Sequence, residues 1–133
     1  MSDYVYEFTH TFSMPDLLRL CAQTDWTAKR SADALQTMLD NTRVCLGVWD
    51  GDRLIGFARA ITDEVYRAYV EDVIVDDAYR GQGIGSEITR RLLERLAHVE
   101  EITLNCGDHL IPFYARFGFE RFNMTHMHIW KGG

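Results

Sequence analysis

The run Val70-Glu71-Asp72-Val73-Ile74-Val75-Asp76-Asp77-Ala78-Tyr79-Arg80-Gly81-Gln82-Gly83-Ile84-Gly85 constrains the fold more than any other stretch of the chain. An apolar strand meets a turn with glycine at alternate positions, and the turn opens directly into a helix. A strand apolar on both faces near its end belongs inside a sheet. Glycines strip the side chains from one arc of backbone. The exposed N–H groups and the positive end of the helix dipole then form a seat for a phosphate or pyrophosphate. The expected product is an α/β fold with a phosphorylated ligand at the end of a central strand.

The remaining elements follow from periodicity and punctuation. Tyr4 to His10 alternates and reads as a first strand. Ser13 or Asp16 caps a helix carrying Leu17, Leu18, Leu20 and Cys21, with Pro15 tolerated in its first turn. Ser31 caps a second, with Ala34, Leu35, Met38 and Leu39 at helical spacing. Val44 to Trp49 and Leu54 to Ile61 form a hairpin across Asp50-Gly51. Ile84 to His98 is a helix, Glu101 to Cys106 a strand, and Leu110 to Phe117 a short helix stopped by Gly118. Phe119 to Phe122 and Thr125 to Trp130 are expected to close the chain as strands. The sum is a mixed central β-sheet flanked by α-helices on both sides.

Composition narrows the class. At 133 residues, 47% hydrophobic and 26% charged, residues 1–133 suit one folded domain. A net charge of −6 argues against a nucleic-acid partner. No apolar stretch approaches membrane-spanning length, so no membrane partner is expected. Cys21, Cys45 and Cys106 show no CxxC pair and no Cys/His cluster, so neither a disulfide framework nor a metal is expected. Cys45 and Cys106 read as small core residues. Met1-Ser2-Asp3-Tyr4 has no signal-peptide pattern, and a reducing, cytoplasmic setting follows.

Three readings of the glycine loop compete: a P-loop, a dinucleotide fingerprint and a plain turn that holds no ligand. The P-loop needs Lys-Ser or Lys-Thr after its glycines, which is missing here. The dinucleotide fingerprint needs a glycine three residues after the second, where this chain has Ser86. Arg80-Gly81-Gln82-Gly83-Ile84-Gly85 instead resembles the Arg/Gln-x-x-Gly-x-Gly/Ala signature of the GCN5-related N-acetyltransferases (GNAT). Pro112-Phe113-Tyr114-Ala115-Arg116-Phe117-Gly118-Phe119 is similar to that family's FYxxxGF segment. The resemblance covers about Tyr69 to Phe122, and the element order matches over nearly the whole chain.

The resemblance implies the acyl-CoA N-acyltransferase fold and acetyl-CoA as co-substrate. By position, the amides of Gly81, Gln82, Gly83, Ile84, Gly85 and Ser86 would hold the pyrophosphate. Arg80 would either add charge there or brace the loop. The main chain of Val73, Ile74 and Val75 would pair with the pantetheine arm like an added strand, with a backbone N–H of Val73 or Val75 facing the oxyanion. Asn105 lies at the next strand's end and would either touch the cofactor arm or satisfy that end. Gly107 stands where the family often has Asn, seven residues before the tyrosine.

Acetyl transfer needs an amine stripped of its proton, a stabilised oxyanion and a protonated or stabilised sulfur. Tyr114 matches the family's general acid toward sulfur; otherwise it is a packed aromatic. Glu71 is the candidate base and acceptor contact, with a salt bridge to Arg59 or Arg67 as the alternative. Alternation puts Glu71 on one face with Val73 and Val75, and Asp72 on the other. His109, His126 and His128 are further candidate bases. Among Trp26, Trp49, Tyr66 and Tyr69, Trp26 is the favoured acceptor-pocket residue. The expected reaction is direct transfer from acetyl-CoA to the primary amine of a small molecule or peptide. A non-catalytic acyl-CoA-binding module and a different acyl donor are the alternatives. The last strands would also permit a homodimer.

Overall fold

The computed structural model describes residues 3–132, so the reading of Met1 and Ser2 falls outside it. Five strands form one sheet in chain order: β1 (Val5–Phe8), β2 (Val44–Asp50), β3 (Arg53–Thr62), β4 (Arg67–Val75) and β5 (Glu101–Leu104). The first four pair antiparallel, and β5 joins β4 in parallel. A parallel neighbour needs a crossover, and here it is α3 (Ile84–Arg95). Gly51, at φ +59°, turns the β2–β3 hairpin as the Asp-Gly pair predicts.

Helices cover both faces. On one, α3 sets Ile84, Ile88 and Leu92, with Leu96 just beyond, against Leu46, Val48, Ala58, Ala60 and Val70. On the other, α1 (Met14–Cys21) and α2 (Ala32–Asn41) bury Leu17, Leu20, Leu35 and Leu39 against Cys45, Leu54, Phe57 and Ile74. Ser13 accepts from the Asp16 amide at 3.4 Å and Ser31 from the Ala34 amide at 3.2 Å, which fixes both helix starts. Among the described residues no helix is long and apolar enough to cross a membrane.

The β3–β4 turn is anchored twice. Asp63 Oδ1 accepts from the amides of Val65, Tyr66 and Arg67. Next to it Glu64 accepts two hydrogen bonds from Arg95 (2.9 and 2.7 Å) and lies 2.8 Å from His98 Nε2, tying the turn to the end of α3.

The C-terminal region departs from the sequence reading. The expected helix is a 3-10 turn (Asp108–Leu110) followed by a short α4 (Ile111–Ala115). The expected strands at Phe119–Phe122 and Thr125–Trp130 are absent: past Gly118 no ladder forms, and Phe122, Met124, Met127, Ile129 and Trp130 are 67–86% exposed. A strand exists only beside a neighbour, so alternation alone recorded a propensity without a partner. β5 also ends two residues early, at Leu104, which leaves Cys106 exposed rather than in the core.

Candidate active site

β4 runs to Val75, but its ladder with β5 stops at Val70 opposite Leu104. From Glu71 onward the β5-facing edge of β4 has no strand beside it among the described residues. A cleft therefore opens between Val73, Ile74 and Val75 on one bank and Asn105 on the other. Asn105 Nδ2 donates to the Tyr69 hydroxyl at 3.1 Å, a clasp between the two banks just before they part.

A bulge sits where the cleft begins. Phe57 pairs with Ile74 and Arg59 with Glu71, so Ala58 alone opposes both Asp72 and Val73. Asp72 takes the extra residue's conformation at φ +55°. The bulge resets the alternation: Val73 and Val75 pack on the α3 side and Ile74 on the α1–α2 side. Simple period two had put Glu71 with Val73 and Val75, and Asp72 opposite. Instead Glu71 and Asp72 share the field of the same two arginines.

Those arginines hold the bulge. Asp72, its side chain 1% exposed, accepts from Arg30 Nη1 and Nη2 at 2.6 and 3.1 Å and from Arg59 Nε at 2.7 Å. Burial alone would raise its carboxyl, but the hydrogen bonds from Arg30 and Arg59 outweigh it and hold it below the usual carboxylate range. Arg59 is thus committed to Asp72, and Arg67 to Glu100 and Glu101. Glu71 is left half-buried, with no ion pair among the described residues. Burial first, then the Asp72 charge, push its carboxyl above the ordinary value of 4.5.

The strand's end leads into the glycine turn through Asp76, which is buried. Asp76 accepts from Arg19 at 2.9 Å, Arg53 at 3.2 Å and the Ala78 amide at 2.9 Å, fixing a 3-10 turn over Asp77–Tyr79. Arg80 pairs with Asp77 at 2.9 Å and reaches toward the Val75 carbonyl at 3.5 Å, so it braces the loop. Gln82 accepts from the Tyr4 hydroxyl at 2.6 Å.

Gly81 and Gly83 adopt φ of +80° and +81°, the left-handed region that favours glycine. A Cβ on either would meet nothing within 4 Å, so the loop's outer side is open. Gly83 begins α3 without a side-chain cap, and the first helical bond is Glu87 N–H to the Gly83 carbonyl at 3.1 Å. The amides of Ile84, Gly85 and Ser86 precede it and are left as donors. Uncapped donors beneath open space fit a diphosphate, and the unpaired β4 edge beside them fits an extended amide-bearing arm.

Arg116 escaped the sequence reading. Its Nη2 donates to Ser86 Oγ at 2.8 Å, and its guanidinium lies 5.3 Å from the Phe113 ring centre and 5.5 Å from that of Phe117. A fixed positive charge thus stands at the first turn of α3. The only signal was its position inside the Pro112–Phe119 motif.

Tyr114 is 9% exposed, edge-on to Phe113 at 4.9 Å and to Phe119 at 5.8 Å. Burial, then the nearby Cys106, push its phenol above 10, so it is a protonated donor at neutral pH. The aromatics scatter. Trp26 is 61% exposed on the connection between α1 and α2, Trp49 stacks on Phe12 at 5.6 Å, and Tyr66 is exposed. Of the four, Tyr69 stands at the cleft. His109 is exposed, and His126 and His128 lie on the C-terminal tail.

The profile of the Acetyltransferase (GNAT) family matches residues 11–119. A ycf52-like N-acetyltransferase of Prochlorococcus marinus is 32% identical over 122 residues, covering 87% of this chain and 67% of that protein. A histone acetyltransferase of Glycine max is 31% identical over 118 residues, covering 79% of this chain and 51% of its own length. This chain therefore spans between half and two-thirds of those two relatives. A GNAT-family acetyltransferase of Streptococcus pneumoniae superposes with a TM-score of 0.80 at 25% identity, covering 97% of this chain and 98% of its own.

Proposed function

The chain belongs to the GNAT acetyltransferase family, and from that premise we propose that it acetylates a primary amine with acetyl-CoA, by direct attack within a ternary complex. The observation that carries this reading is a pairing of two features. The open edge of β4 leads, through the Asp77–Tyr79 turn and the glycine loop, to the uncapped amides at the start of α3. Gly81 to Ser86 would grip the diphosphate, with Arg116 adding charge. Val73, Ile74 and Val75 would pair with the pantetheine arm, and Asn105 would border it. No metal is invoked.

The bound cofactor would supply an acetyl group already activated as a thioester. The protein's own work is placement and proton transfer. Glu71 has no ion pair to satisfy and a raised carboxyl, so it is suited to accept the ammonium proton of the acceptor. A main-chain N–H of Val73 or Val75 on the open edge would face the carbonyl oxygen. Tyr114 would give its phenolic proton to the departing sulfur. The acceptor is the amine of a small molecule or a peptide, approaching from the Glu71 side.

The test follows free-thiol release from acetyl-CoA across a panel of amines, with titration calorimetry of CoA alongside. Turnover is expected with at least one amine. Tyr114→Phe should keep the calorimetric heat while kcat falls by about 10²-fold or more. Heat without turnover on any amine would leave a binding module; no heat with either CoA or acetyl-CoA would end the reading.

A further inference from the structure

The arc from Gly81 to Gly83 is open on its outer side, with both glycines in the left-handed region. Glycine has more conformational freedom to lose than any other residue, so ordering an untethered arc around a ligand would weaken binding. Arg80 pairs with Asp77 three residues back, which stiffens the approach to the arc without joining the arc to the body of the protein.

Gln82, between the two glycines, makes that join. Its Oε1 accepts from the Tyr4 hydroxyl at 2.6 Å, across 78 positions of the chain. Among the described residues this is the one side-chain hydrogen bond that reaches the arc from another element.

Tyr4 is well placed to hold it. It stands immediately ahead of β1, half-buried, with its ring packed beside the α3 core. The ring is edge-on to Tyr79 with centres 5.7 Å apart, and Tyr79 donates to Asp50 Oδ2 at 2.6 Å, at the end of β2. Two residues on, Tyr6 carries the Arg91 guanidinium 4.6 Å from its ring centre. Arg91 Nε in turn donates at 2.6 Å to Glu87, in the first turn of α3. The start of β1 therefore meets the glycine arc and, one pleat later, the helix that follows it. β1 is itself fixed by its pairing with β2 from Val5 to Phe8.

We propose that Tyr4 is a positioning residue for the diphosphate, its hydroxyl holding the glycine arc in the binding shape before the cofactor arrives. The inference rests on the acetyl-CoA reading above and extends it to a residue remote in sequence from the loop. Tyr4 acts through Gln82, so its contribution belongs to cofactor affinity and not to the acetyl-transfer step.

Tyr4→Phe keeps the ring, and with it the edge contact to Tyr79, and removes only the hydroxyl. In the full chain it should raise the CoA dissociation constant in calorimetry, and the KM for acetyl-CoA, by about fivefold, the share of one neutral hydrogen bond. Both kcat at saturating acetyl-CoA and the KM for the amine should stay as in the wild type. Acetyl-pantetheine carries the thioester arm without the diphosphate, so its kcat/KM should be equal in the two proteins. Gln82→Ala should weaken CoA by a similar factor, and Tyr4→Phe should add nothing in the Gln82→Ala background. Unchanged CoA affinity in either single variant overturns the proposal. So does an equal loss with acetyl-pantetheine, or losses from the two substitutions that simply multiply. A wild-type chain that gives no heat with CoA removes the acetyl-CoA reading and this inference together, whereas wild-type heat with an unaffected Tyr4→Phe removes the inference alone. Gln82 is exposed, so Gln82→Ala breaks the same bond without touching the core and decides the matter even where Tyr4→Phe fails to fold.

Discussion

At the scale of single residues, Asp72 and Glu71 differ in what surrounds them rather than in chemistry. Asp72 has both arginines and is structural; Glu71 has neither and is available. Asp72→Ala should cost about 3–5 kcal/mol in chemical denaturation, because it leaves Arg30 and Arg59 facing a buried gap. Glu71→Gln should lower kcat by about 10²–10⁴-fold with CoA affinity unchanged in calorimetry. A base must be ionised to act, so activity should rise with pH through the Glu71 pKa, above the ordinary 4.5. In Glu71→Gln that limb of the pH–rate profile should vanish. The residue types at this site were legible in the sequence, but their partition was not. Period two placed Asp72 away from Glu71, and only the three-dimensional register reveals the bulge that brings both toward Arg30 and Arg59.

Among the elements, the β4–loop–α3 unit was the most legible, because glycine spacing, strand apolarity and the 3.6 period all agreed. Its conformation explains the residue choice: Gly83 at φ +81° has open space around it, so a substitution there is penalised by backbone strain rather than by a clash. Gly83→Ala should therefore lose about 1–2 kcal/mol of stability and bind CoA about tenfold more weakly, read by thermal melts and calorimetry. The tail was the least legible. Its alternating residues carry a genuine strand propensity, but the sequence could not say that no neighbour within the chain would accept it. Arg116 illustrates the intermediate case, a side chain whose partner, Ser86, lies thirty positions earlier and is reached only once α4 packs against α3.

For the whole molecule, Glu64 in its clamp is one of the carboxylates, with Glu87, Asp63, Asp72 and Asp76, that make the fold sensitive to acid. Hydrogen bonds from Arg95, opposed by burial and aided by His98, hold its pKa at about 2 against an ordinary 4.5. A depressed carboxylate stabilises the fold fully above its unfolded pKa and loses that contribution as pH falls toward the folded one. Unfolding free energy should thus decline between about pH 4.5 and 2, and Glu64→Gln should flatten part of that decline. A second consequence comes from the unpaired stretch of β4. On the proposed function the sheet would stand as a partition, with the diphosphate held at the start of α3 and Glu71 on the α1–α2 side, and the reactants would meet where β5 turns away from β4. Neither would bar the other's doorway. Initial-rate plots should intersect, and each product should compete with its own parent, as in a room entered from two corridors in either order.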